Sequence, residues 1–148
     1  MIITAQEFLD AGLPIAYDIP VNEIDFAIRT VEQYMLRPIF HDNLWSEIVN
    51  HPDDYGDTIN GNDTMLGLKD AEFHLVFAYL LWDRVRLTRF GDHVKQSDES
   101  TTPSRDDIMV QAKVHWEIGT SAAYECAKYN HVKHVRRVND LIFGELYY

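Results

Sequence analysis

The run from Leu75 to Trp82 is apolar at every position, and charged residues bracket it: Lys69, Asp70 and Glu72 before, Asp83, Arg84 and Arg86 after. A helix that is apolar around its whole circumference has no face to offer water, so it belongs at the centre of a fold or between packed chains. The run has about half of the roughly 18 residues a membrane span needs, which assigns it to a protein interior. The surrounding pattern predicts a helix from about Leu68 to Arg89, with Phe73 and Val85 extending the apolar surface. Its basic end, Arg84, Arg86 and Arg89, complements a helix C-terminus.

Other helices are predicted around this one. Thr4-Ala5-Gln6-Glu7 has the form of a capping box, with Thr4 as N-cap and Glu7 reaching back. Phe8 and Leu9 follow, and Gly12 and Pro14 stop this short helix. Asn22 can cap a second helix, with Glu23 and Asp25 in its first turn. Ile24, Ile28, Val31 and Met35 recur at helical spacing, Phe26, Ala27 and Tyr34 widen the stripe, and Pro38 ends it. A third helix covers Asn43 to Asn50, with Leu44, Trp45, Ile48 and Val49 on its apolar face and Pro52 beyond.

Residues 52 to 67 are dense in Asp, Asn and Gly and are expected to form a long polar loop. After Phe90-Gly91 the chain turns polar to Pro103, the pattern of an extended excursion or short β-hairpin near 90–103. Ser104 then caps a last long helix with Asp106 and Asp107 in its first turn. Its inner face is Ile108, Ala112, His115, Ile118 or Gly119, Ala122, Ala123 and Cys126, with Ala127 and Tyr129 extending it. It ends at Asn130 or runs on to about Asn139. The residues after it, 141–148, are too apolar for an end frayed in water and are expected to form an extended tail that buries against a partner.

The expected fold is therefore all-α: a small bundle of four to five helices over 1–140 in one domain spanning 1–148, with a docking tail over 141–148. The length of 148 residues and a content of 46% hydrophobic and 25% charged residues fit one globular domain. One cysteine, Cys126, excludes an internal disulfide and suits a reducing compartment. The N-terminal residues have neither the basic nor the long apolar segment of a signal peptide. A net charge of −11 disfavours tight nucleic-acid binding, because such a surface repels phosphates.

Candidate chemistry is sparse. His131 and His134 share a helical face, but two ligands make a poor zinc site, and a solvated basic segment explains them better. His41-Asp42 and His115-Trp116-Glu117 are sequence neighbours, which on a helix point in different directions. The acidic stretch from Asp53 to Asp63 fails the alternating-oxygen pattern of a calcium loop, with Tyr55 or Ile59 where a ligand is required. Cys126 sits among Ala122, Ala123 and Ala127, as a small buried thiol does. The expectation is no catalytic site, no metal and no cofactor. The positive signal is aromatic: three Trp, eight Tyr and seven Phe, concentrated in the central helix and the tail, where interfaces also concentrate such residues. Ile142, Phe143, Leu146, Tyr147 and Tyr148 are the candidate partner contacts.

Three stretches resemble the head–tail connector, or adaptor, proteins of tailed bacteriophages: Met1 to Leu9, Glu23 to Pro38, and Leu68 to Arg84. The excursion from Thr88 to Pro103 is similar to a variant of Bacteroidetes phages. The likeness covers about two-thirds of the chain, and its C-terminal third departs most. It implies a virion structural protein at the head–tail interface, present in host cytoplasm before assembly. A helical subunit of this kind forms a ring, typically a dodecamer, that docks on the portal protein. The ring extends the DNA channel toward downstream tail or stopper proteins, and DNA passes its lumen without specific binding. A small acidic regulator or inhibitor that binds a basic partner protein is the alternative. An enzyme with a histidine-based site ranks last.

Overall fold

The computed structural model describes residues 1–15, 19–91 and 105–147, with side chains described over 1–15, 19–83 and 106–131. Among these residues the chain is all-α. In order it forms α1 (Ala5–Asp10), α2 (Val21–Val31), a π turn (Glu32–Leu36), α3 (Arg37–Phe40), α4 (Asp42–Asn50), a 3₁₀ turn (Pro52–Tyr55), α5 (Gly56–Asn60), α6 (Leu68–Gly91) and α7 (Arg105–Tyr147). No helix among the described residues is long and apolar enough to cross a membrane.

The first helix begins as its sequence predicts. Thr4 Oγ1 accepts from the backbone N–H of Glu7 at 3.1 Å, which satisfies one of the orphan donors of the first turn. The reciprocal half of the box is not made, because the Glu7 carboxylate lies 3.6 Å from Lys69 Nζ and ties α1 to α6 instead. Asn22 is not the cap of α2 but lies inside it, since the helix starts at Val21. Pro20, with φ −59°, occupies the N-cap, and its carbonyl accepts from Glu23 and Ile24. Proline's fixed φ already suits a helix entry, so no side-chain cap is needed.

Pro38 does not end this helix. Backbone helicity continues through Glu32–Leu36 as a π turn and then through α3 to Phe40. A proline inside a helix removes one hydrogen bond and clashes with the carbonyl four residues earlier, and widening the preceding turn relieves both. Ile24, Ala27, Ile28 and Val31 are buried, as their spacing predicts, but Phe26 and Tyr34 do not widen the buried stripe: they stand in solvent. The break comes instead at His41, a non-glycine residue at φ 66°. The α4 helix follows and buries Leu44, Trp45 and Ile48.

The predicted polar loop is more ordered than its composition indicates. Pro52 opens the 3₁₀ turn and α5 follows, each with aspartates in its first turn, where they favour the helix dipole. The α5 helix anchors to α7: Thr58 Oγ1 donates to Asn130 Oδ1 at 3.3 Å, and the Tyr129 hydroxyl donates to Asp57 at 3.2 Å. Asn62 Oδ1 then accepts from Thr64 and Met65, closing a turn of the kind short polar side chains favour.

The core is built on α6, which packs against α7, α2 and α5. Leu68, Ala71, Leu75, Val76, Phe77, Ala78 and Leu80 are all buried, so the apolar circumference is explained by neighbours on several sides. On α7 the inner seam is small: Ala112, Gly119, Ala122, Ala123, Cys126 and Ala127. Gly119, not Ile118, is the interior residue, and it is the point of closest approach. A Cβ there would sit 2.7 Å from Leu75 Cγ and 2.8 Å from the Ala71 carbonyl oxygen. Gly119→Ala should therefore destabilise by about 1–3 kcal/mol through overpacking, even though alanine is the better helix former by about 1 kcal/mol. Urea unfolding reads the sign; a gain in stability would mean the helices part freely at this crossing.

Asn130 does not stop α7. It is buried, bonded to Thr58 and donating to the Cys126 carbonyl at 2.8 Å, and backbone helicity runs on to Tyr147. The expected extended tail is instead helical backbone as far as Tyr147, with no proline after Pro103 to break it. The expected hairpin near 90–103 lies outside the described residues beyond Gly91, as does the Ser104 cap.

Candidate functional site

Several exposed apolar side chains converge on one groove. Met35 from the π turn, Ala78, Tyr79 and Trp82 from α6, and Met109, Val110, Ala112, Lys113 and Trp116 from α7 line an open groove of about 580 Å³. Trp82 is 53% exposed, Val110 62%, and Met109 and Trp116 38% each. Lys113 is the one charged residue among the described residues of the lining. Single exposed hydrophobics are ordinary, but two tryptophans, two methionines and a valine converging on one hollow are the composition of an interface centre.

Local structure explains the convergence. The small seam of α7 lets it approach α6 closely at Gly119, so larger side chains a turn or two earlier on α7 line up beside the α6 surface. The π turn places Met35 at the groove edge and leaves Tyr34 in solvent. π turns within α-helices recur at functional sites for this reason: they re-aim side chains that regular spacing would bury.

A second hollow, about 480 Å³, shares no residue with the first. Phe26, Arg29, Thr30, Gln33 and Tyr34 line it from the outer side of α2 and the π turn, with Trp45 and Val49 from α4. Glu32 also lines it, so this hollow mixes aromatic and polar side chains, unlike the first.

Titratable groups form no catalytic set among the described residues, and no group of three or more His, Cys, Asp or Glu there is placed to hold a metal. Cys126 is buried, donates to the Leu66 carbonyl at 3.4 Å, and its thiol is pushed up to about 11 by burial and the nearby Glu125. A thiol so protonated is a poor nucleophile. His41 and His131 bring their rings within 5.8 Å, joining the α3–α4 corner to α7. His74 and His115 meet more closely: their Nδ1 atoms are 2.8 Å apart and the rings are stacked, with Phe77 edge-on to His115. Burial holds both histidines below their ordinary value; Asp70 opposes this at His74, and His74 adds to it at His115.

Glu72 is the outlier. It is fully buried on α6, and neither carboxyl oxygen has a hydrogen-bond partner. Burial first, and the neighbouring Glu32 second, raise its pKa well above the usual carboxylate range. Glu32 itself accepts from the Ile2 backbone N–H at 2.7 Å.

Of the residues marked as partner contacts, Ile142, Phe143, Leu146 and Tyr147 lie on the last turns of α7 with side chains outside the described residues, and Tyr148 lies outside them altogether. His134 likewise has no described side chain. The groove combines one expected contribution, the aromatic surplus of α6, with one the sequence pattern hid: Met109, Val110, Lys113 and Trp116 fall beside, not on, the alanine seam that defines α7's inner face. Compared with protein-family models, curated proteins and solved structures, the chain matches none.

Proposed function

We propose that this chain is a virion structural subunit, a ring-forming head–tail connector that docks on a portal protein and extends the DNA channel toward downstream tail proteins. The observation that carries a docking role is the groove of Trp82, Trp116, Met109 and Met35, apolar surface that folding leaves uncovered. Ring assembly needs two different surfaces that meet head to tail, and the α6–α7 groove and the α2–α4 hollow are two such surfaces. The charge of −11 suits a lumen through which DNA moves without adhering. The resemblance over residues 1–9, 23–38 and 68–84 supplies the specific assignment.

The test is native mass spectrometry and electron imaging of the chain mixed with the portal protein of its own genome. Rings of the chain seated on the portal are the expected result. The same charge favours the alternative, a regulator that grips a basic protein. That reading gives a monomer or dimer whose complex weakens steeply between low and high salt; a connector held by apolar contacts is far less salt-sensitive. Deleting residues 141–148 should abolish portal binding and leave the far-UV circular dichroism of α1 to α6 in place. Loss of the cooperative unfolding transition on that deletion would assign these residues to the core instead.

A further inference from the structure

The His74–His115 contact has a chemistry that the docking role does not use. Two imidazole Nδ1 atoms at 2.8 Å can bond in one way only: one ring donates an N–H and the other offers a lone pair. The pair holds with both rings neutral or with a single shared charge. With both rings protonated, two N–H donors and two like charges face each other across the same gap, and the contact cannot persist.

Position gives this consequence. The two rings, stacked at 18° with centroids 5.1 Å apart, form a polar bridge between α6 and α7. The pair lies one turn from the Gly119 crossing, and Trp116, next to His115, and Ala78, one turn beyond His74, line the groove. Both groove walls therefore belong to the two helices that the pair joins. We propose that His74 and His115 form a proton-operated latch between α6 and α7, closed at neutral pH and released by double protonation, that sets the spacing of the groove walls. Its effect on partner capture rests on the groove being the docking surface.

Two acid-sensitive elements lie at this crossing: the histidine pair and, two residues before His74 on α6, the buried Glu72. Asp70, one turn earlier on α6, draws a proton toward His74. On α7, Lys113 and Glu117 flank His115 in sequence and stand in solvent. Across α6, α2 presents Ile24, Ala27, Ile28 and Val31, which do not titrate, and Glu32 and Glu72 face each other. Asp57 of α5 is held by Tyr129, and His41 at the α3–α4 corner stands against His131.

Burial lowers both histidines below 6.5, so the opened chain takes up protons before the closed one. Closure is therefore fully favoured above pH 6.5 and is lost as pH falls. The equilibrium shifts by about tenfold per pH unit for each extra proton bound on opening.

Imidazole and indole ¹⁵N–¹H spectra of the full chain from pH 8 to 5 test the latch. At pH 8 one Nδ1 should read as donor and its partner as acceptor. Protons should then enter in two coupled steps below 6.5, and the indoles of Trp82 and Trp116 should move with the second step while that of Trp45 stays. In His115→Gln, which keeps a polar group but cannot charge, the Trp82 and Trp116 shifts should vanish; His74→Gln provides the same test from α6. Independent titration of the histidines at their ordinary value overturns the latch, and so does a Trp shift that survives in both variants. Free-chain spectra are blind to partners, so a working latch in a chain that binds no portal would defeat the docking reading alone.

Discussion

A chain carrying Trp82→Ala and Trp116→Ala keeps its fold and loses its partner. Both indoles are substantially exposed in the isolated subunit, so truncating them costs the core little, within about 1 kcal/mol of unfolding stability for the pair. In a complex they would be the central anchors. Tryptophans in that position are worth about 2 kcal/mol or more each, so the double variant should weaken portal or neighbour binding about a thousandfold. Sedimentation velocity with the portal reads the binding, and urea unfolding reads the fold. Binding that survives both truncations would remove the groove from the interface, whereas collapse of the unfolding transition would make the indoles part of the core.

Glu72→Met should make the protein more stable at neutral pH. The native carboxyl is fully buried with neither oxygen bonded, beside a second carboxylate. An unsatisfied buried polar group costs about 1–3 kcal/mol, and methionine fills a similar volume without that cost. The pH dependence has a definite sign. A carboxyl whose folded pKa is raised contributes stability below its ordinary 4.5 and loses it as pH rises through the folded value. The gain from methionine is thus largest at pH 7 to 8 and shrinks toward pH 4.5. Urea titrations of both chains at those two pH values measure it. A less stable variant at pH 7.5 would mean that the protonated Glu72 carboxyl is held by the Glu32 side chain and ties α6 to the π turn.

Much of the fold was legible because periodicity reports burial directly. The α2 stripe of Ile24, Ile28 and Val31, the α4 face of Leu44, Trp45 and Ile48, and most of the apolar run of α6, from Leu75 to Ala78 and Leu80, are buried as their spacing requires. Local chemistry was read less well wherever tertiary contacts competed with it. Glu7 was free to cap its own helix and pairs with Lys69 instead. Pro38 has a strong local preference to end a helix, and one widened turn overrides it. Asn130 is a poor helix interior residue until Thr58 and the Cys126 carbonyl satisfy its amide.

The groove marks the boundary between the two kinds of knowledge. Sequence alone determined that the chain is helical, that α6 lies at its centre and that more aromatic surface exists than one small core requires, because these follow from composition and a period of 3.6. Which aromatics stay uncovered was decided only by the packing of α6 against α7. Tyr79 and Trp82 belong to the same apolar run as Phe77 and Leu80, yet the first two line the groove while the others are buried. The same packing at Gly119 brings Trp116 alongside them and sets His74 against His115. A glycine permits two helices to approach, but the partner, the angle and the neighbours thereby brought together are properties of the folded pair.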